Sequence, residues 1–151
     1  MLHQEAVGYA HLVSRKPLRL DSLFWIASMT KPITATAVML LADEGKLNPD
    51  DPVEKYLPEL KHLWLVKEKE ASRQVLVRPS RKVTLRHLLT HASGMPIVSG
   101  VEDPEFAATG KFGKPIVLLL KEAVASYAMT PLEFEPGEKW QYSNAGYNRS
   151  E

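Results

Sequence analysis

Ser28-Met29-Thr30-Lys31 stands at the head of the uncharged run Pro32-Ile33-Thr34-Ala35-Thr36-Ala37-Val38-Met39-Leu40-Leu41-Ala42. The pattern predicts a helix from about Met29 to Glu44. Pro32 falls in its first turn, where a missing N–H has no intrahelical partner, and Gly45 is placed to close it. A serine and a lysine three residues apart on a helix project from the same face. That spacing suits a hydroxyl nucleophile whose base is an amine. A tyrosine from elsewhere in the chain would complete the proton relay, and Tyr142-Ser143-Asn144 supplies one near the C-terminus.

Working outward, Glu5–Val13 and Leu18–Ala27 read as two strands joined at Ser14-Arg15-Lys16-Pro17, a hairpin. After the helix, Asn48-Pro49-Asp50-Asp51-Pro52 is a turn that starts a short helix from Val53 to Leu57. Leu63–Val66 and Val75–Val77 flank the charged segment Lys67–Arg73 and predict a small hairpin on the surface. Thr84 can cap a helix from Leu85 to Thr90, which Ala92-Ser93-Gly94-Met95-Pro96 terminates. Residues 97–114 read as loop, and Pro115 opens an apolar helix through Ala128. Glu135-Pro136-Gly137-Glu138 is a turn leading into Trp140 and Tyr142.

The bulk properties narrow the function classes. With 151 residues, 44% hydrophobic and 25% charged, the chain has ordinary globular composition. A formal net charge of +1, with no basic tract interleaved with aromatics, argues against a nucleic-acid partner. The absence of cysteine excludes disulfides, thiolate catalysis and Cys-type zinc sites, and fits either the cytoplasm or the periplasm. Pro32–Ala42 is too short to span a bilayer, and His3 and Glu5 interrupt any apolar leader at the start.

A serine hydroxyl is a weak nucleophile until its proton is removed. At a helix N-terminus the unpaired N–H groups and the macrodipole favour a developing alkoxide on Ser28, and they disfavour an ammonium on Lys31. Lys31 as an amine can take the Ser28 proton, Tyr142 can pass it to the leaving group, and Asn144 can orient substrate or fix Lys31. The Ser-x-x-Lys spacing carries little weight alone: ten serines and 12 lysines give about 0.8 such pairs by chance. Tyr-x-Asn is rarer, at about 0.1 by chance. His87 and His91 have the i, i+4 spacing of a helical zinc pair, yet Leu88 stands where the zincin pattern needs Glu, so a structural use is favoured, with His91 hydrogen-bonding near the helix end. Ser93 lies outside any Gly-x-Ser-x-Gly elbow. Trp25, Trp64 and Trp140 read as packing residues, with Trp140 the best candidate for a substrate platform.

On these residues the chain resembles the serine β-lactamase and penicillin-binding-protein superfamily, in the branch of class C β-lactamases, D-alanyl-D-alanine peptidases and family VIII carboxylesterases. Ser28-Met29-Thr30-Lys31 is similar to that family's nucleophile motif and Tyr142-Ser143-Asn144 to its second motif. Phe24-Trp25-Ile26-Ala27, Leu88-Leu89-Thr90-His91-Ala92-Ser93-Gly94 and Glu135-Pro136-Gly137-Glu138 follow in family order. The resemblance implies an α+β class, the β-lactamase/transpeptidase-like fold, with an antiparallel sheet beside a helical lobe. Residues 1–27 would be a hairpin of the sheet and 28–151 the nucleophile helix and helical lobe. It implies a serine hydrolase forming an acyl-enzyme on Ser28, with Lys31 and Tyr142 moving protons and Asn144 binding substrate. No cofactor or metal is implied, and the partner is a small ester or amide, the enzyme being an esterase or β-lactamase-like hydrolase whose substrate class stays open among short-chain esters, β-lactams and D-alanyl peptides. The excursion from Leu63 to Val77 resembles the esterase-like branch. Non-catalytic use of the same fold, or an inactive truncated product, is the alternative. The family's third motif, Lys-Thr-Gly or His-x-Gly, is not in the chain, so a truncated fold with two sheet strands, inactive alone, is expected.

Overall fold

A computed structural model describes residues 3–70, 73–101, 103–109 and 118–145, without the side chains of 104, 106 and 107. It divides into two compact units, Met1–Thr30 and Lys31–Glu151. In the first, β1 (Tyr9–His11) pairs antiparallel with β2 (Lys16–Pro17) in the register Tyr9 to Pro17 and His11 to Lys16. β1 is much shorter than the predicted strand Glu5–Val13, and β2 falls in the predicted turn Ser14–Pro17; no residue of the predicted strand Leu18–Ala27 is in a strand. Pro17 brings no N–H to the ladder, and only the Leu18 N–H to Gly8 carbonyl bond, 3.0 Å, follows it. The second strand is then diverted by a local turn: Ser22 N–H donates to the Arg19 carbonyl, and its Oγ accepts from Arg19 N–H. Arg19 also forks onto Asp21 at 2.8 and 3.0 Å.

The unit Lys31–Glu151 holds nearly all of helix α1 (Thr30–Asp43). Its end is a Schellman stop: Gly45, at φ 69°, donates to Ala42, and Lys46 donates to Leu41, both at 2.9 Å. None of α1's side chains is buried. The core begins further on. A 3₁₀ turn at Val53–Lys55 and another at Pro58–His62 contribute Val53 and Leu60, and Leu63, Leu65, Val83, Met95, Tyr127 and Leu132 complete the cluster.

The hairpin of β3 (Leu65–Lys69) and β4 (Gln74–Val77) pairs antiparallel, with Leu65 opposite Val77 and Lys69 opposite Gln74. It is more than a surface excursion. Leu132 donates to the Trp64 carbonyl at 2.7 Å and accepts from Val66 at 2.9 Å, forming a parallel bridge at Leu65. Leu132 is fully buried there, so Leu132→Ala would cost about 2–5 kcal/mol.

Helix α2 (Leu85–Leu89) starts on Thr84, whose hydroxyl accepts from His87 N–H while His87 Nδ1 accepts from Thr84 N–H, each at 3.2 Å. A histidine here plays the part usually taken by Glu or Gln in a capping box. Helix α3 (Pro104–Thr109) lies inside the stretch read as loop; its short Pro-Glu start carries no long apolar period to announce it. Helix α4 (Leu120–Ala128) begins later than Pro115, and residues 115–117 lie outside the described set. Glu122 accepts the Leu119 N–H at 2.8 Å and holds that start. Ala123, Ser126 and Tyr127 face the interior. Short antiparallel hairpins and separate helices make the architecture α+β.

Candidate active site

Ser28 lies in the unit Met1–Thr30, in a 3₁₀ turn over Ala27–Met29 that leads directly into α1. Met29 N–H donates to the Ile26 carbonyl at 2.9 Å, and Ala27 takes φ 44°. A left-handed alanine costs about 1–2 kcal/mol relative to ordinary backbone, and such strain clusters where a side chain must be presented.

Lys31, Tyr142 and Asn144 lie in the other unit, and the fold brings them together across 113 residues of sequence. Lys31 Nζ donates to Asn144 Oδ1 at 3.0 Å, and it stands 4.8 Å from the centroid of the Tyr142 ring. An amine held by one amide oxygen against an aromatic face has its position set by two independent contacts.

The segment carrying Tyr142 is held by the loop after α2. Glu133 N–H donates to Gly94, Gly137 to Ala92, Gln141 to His91 and Asn144 to Ile97, at 2.7–3.1 Å. Ser143, buried, sends its hydroxyl to the Pro96 carbonyl at 2.7 Å and accepts Ala145 N–H at 3.1 Å. Gly94 is required at the centre: at φ 82° an added Cβ would sit 2.2 Å from the Phe134 carbonyl oxygen. Ser93 is spent on the turn itself, accepting Met95 N–H at 3.2 Å.

His91 enters this frame from the end of α2. Its N–H reaches Leu88, the following Ala92 N–H reaches His87, and its own φ is 58°. This is again a Schellman stop, with histidine at the position glycine usually takes. The ring stacks on Tyr142 with centroids 4.7 Å apart and planes at 29°, and it meets Trp140 edge-on at 5.9 Å. Nδ1 accepts the Ser143 N–H at 3.2 Å. That bond leaves the proton of the neutral ring on Nε2. Burial, and next the positive charge of Lys31, hold His91 below the ordinary histidine range; burial and then the Arg81 guanidinium do the same for His87. Sequence reasoning placed His91 near the helix end but missed Ser143, 52 residues away. The Leu88–Gly94 run was its only available signal. None of the three tryptophans is buried; Trp64 stacks under the Arg78 guanidinium at 3.6 Å and Trp140 lines the histidine.

Among the described residues no group of acidic or histidine side chains could hold a metal ion, and no helix is long and apolar enough to cross a membrane. The family model described as Beta-lactamase matches residues 1–149. Penicillin-binding protein 4* of Bacillus subtilis (strain 168) is 34% identical over 97% of this chain and 28% of its own length. Esterase EstB of Burkholderia gladioli is 34% identical over 96% of this chain and 35% of its own. Among solved structures, EstCE1, a hydrolase with promiscuous acyltransferase activity, superposes with a TM-score of 0.69 at 29% identity, covering 91% of this chain and 34% of that one. The chain thus spans about a third of the length of these relatives.

Proposed function

The chain belongs to the Beta-lactamase family, and from that premise we propose that it is the nucleophile-bearing part of a serine hydrolase acting on small esters through an acyl-enzyme at Ser28. The observation that carries this reading is the approach of Lys31 to both Asn144 and Tyr142, at 3.0 and 4.8 Å, in a chain whose Ser28 stands three residues before Lys31. Similarity to an esterase and to a hydrolase with acyltransferase activity supports ester carbonyls as the first substrates to test.

In the proposed reaction the Ser28 hydroxyl proton moves to Lys31 Nζ as Oγ forms a bond to the substrate carbonyl carbon. The carbonyl π pair shifts to oxygen and gives a tetrahedral oxyanion. Collapse breaks the bond to the alkoxide, which takes the Tyr142 phenol proton, and Lys31 returns its extra proton to the phenolate. Water then repeats the sequence on the Ser28 ester and releases the acid. Asn144 Oδ1 helps aim the amine, because accepting one Nζ–H confines the nitrogen lone pair to the positions left over.

The test is hydrolysis of p-nitrophenyl butyrate by the full-length protein, with mass-spectrometric mapping of the acylated residue. Acylation is expected at Ser28 and absent in Ser28→Ala; modification of a different serine, or full turnover by that variant, rejects the proposal. Lys31→Ala and Tyr142→Phe should each slow acylation by about 10²–10⁴-fold. The double variant should be little slower than the worse single one, because groups acting as a unit are not additive. A non-catalytic protein of the same fold would show no acylation at all.

A further inference from the structure

His91 is an expensive choice for its backbone position. The residue that closes a Schellman stop sits in the left-handed region, where glycine is unstrained and a side chain costs about 1–2 kcal/mol. At Gly45 the chain uses glycine for this turn, and at φ 58° it uses His91. Its carbonyl and its side chain converge on one target. The His91 carbonyl accepts Gln141 N–H at 2.8 Å, its Nδ1 accepts Ser143 N–H at 3.2 Å, and its ring lies 4.7 Å from the phenol between those two residues. The amides on either side of Tyr142 are therefore both bonded to one residue, whose ring lies against the Tyr142 ring.

Resting on the hydrolase reading above, we propose that His91 is the positioning residue of the proton-transfer pair: neutral, it clamps Tyr142 beside Lys31, and protonation at Nδ1 opens the clamp. Nδ1 cannot accept the Ser143 N–H and carry a proton at once. The charged and titratable groups facing the ring include Lys31, from α1, and Tyr142 itself, and Trp140 adds an apolar edge. Burial, the largest influence on the ring, favours its neutral form whether Lys31 is an amine or an ammonium. The clamp is therefore closed at neutral pH and opens on the acid side of the usual histidine range, below about pH 6.5. His91 itself need never touch substrate.

Two variants separate the role from the turn. His91→Gly keeps the left-handed backbone and removes ring and acceptor. His91→Asn also tolerates that backbone and offers Oδ1 as an acceptor, but does not titrate. In the full-length protein, histidine and amide NMR signals are followed against pH alongside the rate of Ser28 labelling by a fluorophosphonate. The Ser143 amide is expected to move with the His91 midpoint, and the labelling rate to show an inflection at the same pH. His91→Gly should label about 10²-fold more slowly, the loss typical of an ångström-scale misplacement. His91→Asn should recover at least tenfold of that loss and lack the inflection. A Ser143 amide indifferent to His91, an inflection that survives in His91→Asn, or His91→Gly labelling at the wild-type rate would each overturn the proposal. Failure of the wild type to label at all would overturn the hydrolase reading and the positioning role with it. In that case the Ser143 amide, still tracking His91, would show that the clamp exists without that chemistry.

Discussion

Helices α1 and α2 end in the same backbone motif and put it to opposite uses. After α1, Gly45 turns the chain in open space: an added Cβ would meet nothing within 4 Å. After α2, His91 makes the equivalent turn, and the following loop is packed so tightly that Gly94 has no room for a methyl group. The first stop only ends a helix. The second is the seat for residues 133–144, and through them for Tyr142 and Asn144. Identical hydrogen-bond geometry therefore says little about importance; what the turn residue touches beyond its own helix decides it.

The contrast is broken most severely at Gly94. Gly94→Ala adds left-handed strain to a clash in which Cβ lies 2.2 Å from the Phe134 carbonyl oxygen, and should destabilise the protein by about 2–5 kcal/mol. Urea denaturation would read this as a large drop in midpoint at unchanged slope. A midpoint within experimental error of wild type would mean that the seat yields easily and does not fix Tyr142.

A second difference is that α2 and its stop carry histidines, where the stop of α1 is a glycine. His87 and His91 each accept a backbone N–H at Nδ1 and are each held below the ordinary histidine value of 6.5. The folded chain then binds fewer protons than the unfolded one. Their stabilisation is complete above about pH 6.5 and is lost as pH falls through the folded-state values. Denaturation midpoints should decline on acidification, and the decline should flatten when both residues are Asn. An unchanged acid dependence in that double variant would assign it to the carboxylates, several of which are held low by ion pairs, such as Asp50 by Arg86.

The smallest effect is the reciprocal exchange at α1. Gly45→His should cost only the backbone strain, about 1–2 kcal/mol, and leave the Tyr142 and Ser143 signals where they were. Movement of those signals would show that the end of α1 is coupled to the seat, and the comparison would lose its sharpness.

Local devices were legible in the sequence because their partners lie within a few residues. Gly45 as a helix stop, Thr84 as a cap and the turn at Asn48–Pro52 all follow from residue type and offset. The second strand of the first hairpin was misplaced, since it forms at Lys16–Pro17 and the apolar run from Leu18 says nothing of the Arg19–Ser22 turn within it. Helix α3 was missed for want of length, and the buried end of β3 because Leu132 joins it from far along the chain. Lys31, Tyr142 and Asn144 were singled out by type and spacing; that they meet is a fact of the fold.

Residue chemistry by itself determined which groups are available: an amine three residues after a serine at a helix start, a phenol two residues before an amide, and no thiol or basic tract to suggest other work. Tertiary structure alone decided that His91 belongs with them. Its carbonyl and Nδ1 accept backbone N–H groups, and its ring meets rings, 50 or so residues away, and a sequence carries no local trace of such a contact. Hydrogen bonds and stacking act over a few ångströms, so a residue's partners are set by where the packed core brings distant segments, and in this chain that core runs through Met95, Tyr127 and Leu132.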